Sequence, residues 1–305
     1  MKSIKNVLIC GLGGIGCLCA SNISNNNSAK LKVLIDESRW EKYTCTPTIF
    51  NSKKYYFHYI LPSERNNKSD LIIIATKDSG LNEAIKNIKN FVDENTIILS
   101  LLNGIHSEEE IASIYGEKNI LYSFYIGASC IREGRNITQN GDYNIVIGTK
   151  YSYQNDILNS VDEFLTASKI KHYISNDIRN EYWKKFMINI GLNQLSAATG
   201  KTLKQIRSDK ELTQIMLSLM KEAELIAKKE GIASHKKIYN GAVKFLLEEL
   251  PDANPSMLQD IKAGRKTEVD VFAGQIIKLG IKYNIKTPEN ISIYEKIKNI
   301  ELKKI

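Results

Sequence analysis

The sequence predicts an α/β protein in two parts, a doubly wound sheet followed by an all-helical domain. Three observations carry that prediction. A glycine-rich turn, Gly11-Leu12-Gly13-Gly14-Ile15-Gly16, follows an apolar run at the start of the 305-residue chain. Short apolar runs then alternate with helical patterns to about residue 125, as in a parallel sheet wrapped by helices. From about residue 178 the apolar period is helical throughout.

The elements follow in order. Asn6–Cys10 reads as a strand, the glycine turn comes next, and a helix runs to about Ile23. Leu31–Ile35 is a second strand that ends in Asp36-Glu37, and Tyr55–Ile60 is a further one. Asp70–Ala75 is apolar along its length, as a strand covered on both faces must be. A helix over Leu81–Phe91 leads to a strand at Thr96–Leu101. Ser107 and Glu110 have the spacing of a capping box for the next helix, and Asn119–Phe124 is again a strand. Gly127–Arg132 and Tyr143–Gly148 flank Asn140-Gly141-Asp142, which predicts an antiparallel hairpin turning at those three residues. A helix at 153–168 completes this half.

In the second half, Ser208 with Glu211 reads as another capping box, opening a helix to about Glu230 that Gly231 ends. Pro251 and Pro255 bracket a loop, and Ser256 to Tyr283 reads as one long helical stretch. Thr287-Pro288-Glu289 starts a last helix, with threonine as N-cap and proline in the first turn. The expected division is a Rossmann-like dinucleotide-binding domain, 1–168, and a helical substrate and catalytic domain, 169–305.

Composition narrows the function classes. A hydrophobic share of 43% with 25% charged residues fits a globular chain, and no run approaches 18 apolar residues, so no membrane span is expected. The formal charge is +8, but the lysines are scattered, without the basic patch that nucleic-acid binding requires. The five cysteines (10, 17, 19, 45 and 130) form no CxxC pair, which leaves neither a zinc site nor a disulfide framework and points to a reduced, cytoplasmic setting. No metal is expected.

The glycine turn fits GxGxxG between a strand and a helix, the context in which that motif holds a dinucleotide. Gly11 permits the turn, Gly13 lets the backbone approach a diphosphate, and Gly16 permits close packing of helix on strand. Leu12, Gly14 and Ile15 complete the loop, whose helix offers free N–H groups to the phosphates. Asp36 lies 20 positions beyond Gly16, where a carboxylate bonds a ribose 2′-hydroxyl and repels a 2′-phosphate. That favours NAD(H) over NADP(H), although Arg39, Lys42 and Lys77 could supply charge to a phosphate.

The segment 183–193 is apolar around most of its helical circumference, yet Lys185, Asn189 and Asn193 recur at i, i+4 and i+8. Each step drifts only about 40°, so the three make one narrow polar stripe. Either it is an ordinary solvent stripe, or it faces a polar ligand, since buried amides and ammonium groups must be satisfied.

Together these pieces resemble the 2-dehydropantoate 2-reductase (ketopantoate reductase) family of the 6-phosphogluconate dehydrogenase-like superfamily. The resemblance runs from the glycine turn through Thr76-Lys77, Leu102-Asn103-Gly104 and the stripe of Lys185, Asn189 and Asn193. Its most specific part is Ser256-Met257-Leu258-Gln259-Asp260 with Gly264-Arg265, Thr267-Glu268-Val269-Asp270, Gly274 and Thr287-Pro288. It implies reduction of ketopantoate to (R)-pantoate, usually with NADPH, on the route to coenzyme A. Lys185 resembles the catalytic lysine and Glu268 the glutamate that orients it. Asn189, Asn193 and Ser256 resemble the substrate-binding set, Asn103 a residue beside nicotinamide and substrate, and Lys77 a lysine near the cofactor phosphates or the substrate entrance. A ketone that accepts hydride becomes an alkoxide, so a neighbouring ammonium suits the chemistry.

The resemblance places the nicotinamide facing Lys185. It leaves a homodimer open as the assembly, with no nucleic acid or membrane as partner. The chain departs from the family at Asp36-Glu37, where many members carry arginine. A reductase of another 2-keto acid and a non-catalytic dinucleotide sensor are the alternatives. Ser256 and Glu268 lie 12 residues apart, about 18 Å along a straight helix, so either the helix starts, bends or breaks between them, with Gly264 a candidate weak point, or each touches an opposite end of a cleft.

Overall fold

The computed structural model describes residues 3–65, 68–252 and 254–304, which fall into two compact units divided between Ile178 and Arg179. The first unit is built on strands β1 (Asn6–Cys10), β2 (Lys30–Leu34), β3 (Thr48–Phe50), β4 (Lys53–Tyr55), β5 (Tyr59–Ile60), β6 (Leu71–Ile74), β7 (Ile97–Ser100), β8 (Ile120–Glu133), β9 (Asn136–Gly148) and β10 (His172–Ile174). Its helices are α1 (Gly14–Asn26), α2 (Trp40–Cys45), α3 (Leu81–Asn87), α4 (Ser107–Tyr115) and α5 (Asn155–Ala167).

The sheet runs β4-β3-β9-β8-β7-β6-β1-β2-β5, with β10 also on β9. The strands from β5 to β8 are mutually parallel. Their apolar runs serve two cores. Val7, Ile9, Leu71 and Ile73 face Leu18 of α1 and Val161 of α5, whereas Leu8, Ile72 and Ile74 face Leu81 and Ile85 of α3 and Ile111 of α4. Because both faces are covered, these strands cannot alternate polar and apolar residues. Strand β1 sits between β2 and β6, so the chain reverses its direction of travel across the sheet there. In open α/β sheets ligands bind beyond the strand ends at such a reversal.

Several local expectations are corrected. The hairpin of β8 and β9 turns at Gly134-Arg135, with Gly134 at φ +63°, and not at Asn140-Gly141-Asp142. Those three residues lie inside β9 at a bulge opposite Gly127, where a Cβ would stand 2.3 Å from the Asp142 carbonyl oxygen. Ser107 is the first helical residue of α4 and caps nothing; its hydroxyl donates to Glu108 and receives from Ser100. The segment 55–60 is divided between the end of β4 and the whole of β5. Strand β10 pairs with Ile145–Ile147 of β9, so residues 169–178 belong to the sheet unit and the division falls ten residues beyond 168.

The second unit contains α6 (Ile178–Ile188), α7 (Gln194–Thr199), α8 (Leu203–Arg207), α9 (Lys210–Lys229), α10 (His235–Lys244), α11 (Ser256–Lys262), α12 (Gln275–Tyr283) and α13 (Pro288–Lys304). Wide π turns separate α6 from α7 (Asn189–Asn193) and precede α12 (Asp270–Gly274). Helix α9 touches α8, α10, α12, α13 and the first π turn. Its cap is Asp209, whose carboxylate accepts the N–H groups of Glu211 and Leu212; Ser208 instead ends α8. The capping box present here is Thr202 with Gln205, at the start of α8. The long helix expected from Ser256 to Tyr283 is broken at Gly264 (φ +63°), and Thr267 turns inward to the buried Glu301 carboxylate at 2.7 Å.

A third π turn, Phe245–Glu249, follows α10, and a buried carboxamide holds the other two. Gln194 donates to the Ile190 carbonyl at 3.0 Å and to Asn290 Oδ1 at 3.2 Å, and accepts the Ala273 N–H at 2.8 Å. Asn290 in turn donates to the Glu222 carboxylate at 2.7 Å, which also accepts the first N–H groups of α13. Gln194→Leu takes a partner from the buried Ala273 N–H, the Ile190 carbonyl and the Asn290 side-chain oxygen, so it is expected to destabilise by about 2–4 kcal/mol. Chemical denaturation of the two proteins checks this; a loss under about 0.5 kcal/mol would show that the network is dispensable.

Candidate functional site

Within the first unit the glycine loop occupies the chain reversal. Gly11 has φ +101°, and a Cβ there would stand 2.7 Å from the Ala75 carbonyl carbon, so loop and β6 end are in direct contact. A Cβ at Gly16 would meet the Gly11 oxygen at 1.9 Å, which is the close helix–strand packing expected of the third glycine. Gly13 differs. Its nearest neighbour for a Cβ is the Ala75 oxygen at 3.8 Å, so nothing within the fold demands glycine there. Its backbone is therefore open to close approach, as a phosphate on this loop would need. Gly14 has an internal reason, because a Cβ would collide with that of Cys130 at 2.1 Å. Helix α1 has no side-chain cap and no acidic residue in its first turn, leaving its leading N–H groups and positive end to an anion. Leu12 is buried and Ile15 half-buried beneath the loop. The loop therefore fits a diphosphate.

Asp36 follows β2 and leads into a short 3-10 turn, Glu37–Arg39. Its carboxylate pairs with Arg39 at 3.0 Å and accepts the Ser38 hydroxyl. A cleft of about 600 Å³ opens there, lined by Asp36, Glu37, Arg39, Pro62, Glu83 and Asn87 among others. Three carboxylates against one guanidinium, itself engaged by Asp36, make this a poor place for a 2′-phosphate. Pro62 and Glu83 were not anticipated from the sequence, because Pro62, on the loop after β5, and Glu83, in α3, lie far from Asp36 in the chain.

Lys77 and Asn103 follow β6 and β7, one exposed and one half-buried, and neither lacks an interaction. The two loops are joined by His106 Nε2 and Asp78 Oδ1 at 2.7 Å, a pair the sequence did not reveal. Burial works against a charge on His106, but the hydrogen bond and charge of Asp78, with Glu110 and Glu108 nearby, outweigh it and raise its pKa. Burial pushes the thiols of Cys10, Cys17 and Cys19 up to about 12, which keeps them protonated and inert. Among the described residues no cluster of three His, Cys, Asp or Glu side chains could hold a metal, and no helix is long and apolar enough to cross a membrane.

In the second unit the polar stripe is real and mostly shielded. Lys185 and Asn189 are half-buried and Asn193 is 9% exposed, between the buried Trp183, Phe186, Met187, Ile190 and Leu192. Asn193 donates to Asn189 at 2.7 Å, and its oxygen accepts the Ser256 hydroxyl at 3.4 Å and the Met257 N–H at 3.5 Å. The structure thus brings Asn189, Asn193 and Ser256 together, one turn beyond Lys185. Glu268 is half-buried just before the Asp270–Gly274 π turn. Phe272 in that turn packs on Phe186 of α6 at 6.1 Å, so the elements bearing Glu268 and Lys185 are neighbours. Neither side chain lacks an interaction. This set can hold a carboxylate and hydroxyl through amide and hydroxyl donors, with an ammonium alongside.

Comparison with known proteins agrees with this layout. The sequence model of the family described as ketopantoate reductase PanE/ApbA matches residues 7–151, and that of its C-terminal part matches 177–301. A 2-dehydropantoate 2-reductase from Aquifex aeolicus (strain VF5) is 29% identical over 239 residues, 76% of this chain and 77% of the relative. The ternary structure of D-mandelate dehydrogenase with NADH and anilino(oxo)acetate is similar with a TM-score of 0.85 at 21% identity, covering 97% of this chain and 98% of that one. A dimeric ketopantoate reductase from Staphylococcus aureus gives 0.77 at 20% identity, covering 98% and 99%. At such identities the structural likenesses speak for the fold.

A pH dependence follows from His106. With its folded pKa raised, the contribution of the pair is complete below the ordinary histidine value of about 6.5 and is lost as pH climbs through the folded value. His106→Gln should therefore lower Tm at pH 6, with the gap to the parent protein closing toward pH 9. A gap that widens with pH would contradict the pairing.

Proposed function

We propose that this chain, which belongs to the ketopantoate reductase (PanE/ApbA) family, reduces ketopantoate to (R)-pantoate with hydride from a reduced nicotinamide dinucleotide. One observation supports the reading above the others. Lys185, Asn189 and Asn193 share one greasy rod, and Ser256 closes on Asn193. A structural helix has no need of an ammonium and two amides on one shielded stripe.

When bound, the reduced nicotinamide supplies hydride to C2 of the keto acid. The residues of the chain do the rest. Asn189, Asn193 and Ser256 hold the carboxylate and hydroxyl, which fixes the ketone with respect to Lys185. The Lys185 ammonium stabilises negative charge as it develops on the ketone oxygen and then gives up a proton to it, leaving the alcohol. Glu268 is assigned the orientation of that ammonium. Gly11 to Gly16 and the α1 terminus take the diphosphate, Lys77 lies on the phosphate side, and Asn103 borders the nicotinamide. Asp36 takes the ribose hydroxyls, and the acidic cleft favours NAD(H) over NADP(H). A soluble cytoplasmic enzyme, with a homodimer as its assembly, completes the reading.

A second reading, a reductase of another 2-keto acid, is suggested by the likeness to D-mandelate dehydrogenase with NADH. A non-catalytic sensor is disfavoured, since it needs neither Lys185 nor Glu268. Oxidation of NADH and NADPH, followed in parallel with ketopantoate and with an aryl 2-keto acid, separates the first two. No turnover with either acid, while NADH still binds, would favour the sensor.

Lys185→Ala is expected to lower kcat by at least about 100-fold, the usual scale for a general acid. Parent-like turnover in the variant would reject the assignment. Asp36→Ala removes the ribose acceptor and releases Arg39, so kcat/KM should fall with NADH and hold or rise with NADPH. Equal losses with both would remove Asp36 from the ribose site.

A further inference from the structure

We propose that Arg132 is a positioning residue for the dinucleotide, tying the glycine loop to the turn that meets the ribose. The inference rests on the reading that the first unit binds a dinucleotide. Arg132 stands near the end of β8, 120 residues from the loop, and its Nη1 donates to the Leu12 carbonyl at 3.0 Å. Its Nη2 donates to the Tyr43 hydroxyl at 3.0 Å, and Nε holds the Gly134 carbonyl at 2.9 Å, which fixes the plane of the fork. Tyr43 belongs to α2, which begins directly after the Glu37–Arg39 turn. Arg135, from the same hairpin, lies over the Tyr43 ring at 4.3 Å and donates to the Lys42 carbonyl at 3.0 Å. Cys130, two residues before Arg132, fills the space above Gly14. One hairpin thus grips the loop at Leu12 and Gly14 and grips α2 at Lys42 and Tyr43.

The chemistry gives that grip a purpose. Gly11, Gly13 and Gly14 have no side chains with which to set the orientation of the loop. A trans peptide is planar, so its C=O and N–H point in opposite directions. By holding the Leu12 oxygen, Arg132 sets the direction of the Gly13 N–H in the same peptide plane, a donor due to face the diphosphate. A charged donor on that oxygen also polarises the N–H. The second arm of the fork references the loop to α2, and so to Asp36, at the other end of the adenosine diphosphate half.

The test is titration of purified full-length protein with NADH, ADP-ribose and adenosine, with Tm and steady-state kinetics alongside. Arg132→Gln should weaken NADH and ADP-ribose by about tenfold or more, the scale of a charged hydrogen bond. Adenosine affinity, kcat and Tm should stay near the parent values, so that the loss appears in the KM for the nucleotide. Arg132→Lys, able to keep one bond of the fork, should recover part of the loss. Unchanged ADP-ribose affinity in folded Arg132→Gln, or adenosine weakening in step with ADP-ribose, would overturn the proposal. If Arg132→Gln does not fold, Tyr43→Phe decides. Weaker ADP-ribose with unchanged adenosine supports the clamp, and no change in either overturns it. A parent protein that binds neither NADH nor ADP-ribose would fail on the dinucleotide reading itself, whatever Arg132 does.

Discussion

The second unit depends on a side chain with no part in chemistry. A π turn widens the helix and takes backbone groups out of the ordinary i to i−4 ladder. Such groups are costly when buried unless something else meets them. The Gln194 carboxamide meets two at once, the Ile190 carbonyl of one π turn and the Ala273 N–H of the other. It is fully buried, and its remaining bond goes to Asn290, which rests on the Glu222 carboxylate. The same carboxylate caps α13. The turn bearing Asn189 and Asn193, the turn that follows Glu268, and the helices α9 and α13 are therefore located by one chain of hydrogen bonds.

The first unit solves a different problem. Its glycine loop is close-packed where it meets the sheet and open on its other side. Gly11 and Gly16 serve the close packing, Gly14 makes room for the β8–β9 hairpin, and Gly13 stands on the open side, where no atom of the fold crowds it. Acidic residues gather at the end of β2, where the pairing of Asp36 with Arg39 withdraws the nearest cation from competition.

The fold was legible where local pattern and tertiary burial agree. Strands β1, β6 and β7 are read from unbroken apolar runs because both of their faces are covered, and Pro288 marks the start of α13 because its first turn needs no N–H. Expectations failed where several residues could serve equally. Asn140-Gly141-Asp142 suits a turn or a bulge, and Gly134 next to Arg135 took the turn. Serines at 107 and 208 suited capping, but Asp209 is an acceptor in the better place, and Ser107 is drawn inside the helix by Ser100. In the candidate site, the stripe of Lys185, Asn189 and Asn193 was legible from helical spacing alone. The partnership of Asn193 with Ser256 came only with the resemblance, and the bonds from Asp78 to His106 and from Arg132 to Leu12 came only with coordinates. Contacts between residues so far apart leave no local trace in a single sequence.

The placement of β10 has a practical consequence. Ile145–Ile147 of β9 is apolar, and β10 covers the edge not taken by β8. A fragment ended at residue 168 would present this stretch as an open row of amide donors and acceptors, the kind of edge on which chains add to one another and aggregate. The first unit, expressed alone, should carry residues through Ser175, whose N–H closes the ladder on the Ile147 carbonyl at 2.9 Å. A segment that the sequence assigned to the helical domain is the hem of the sheet.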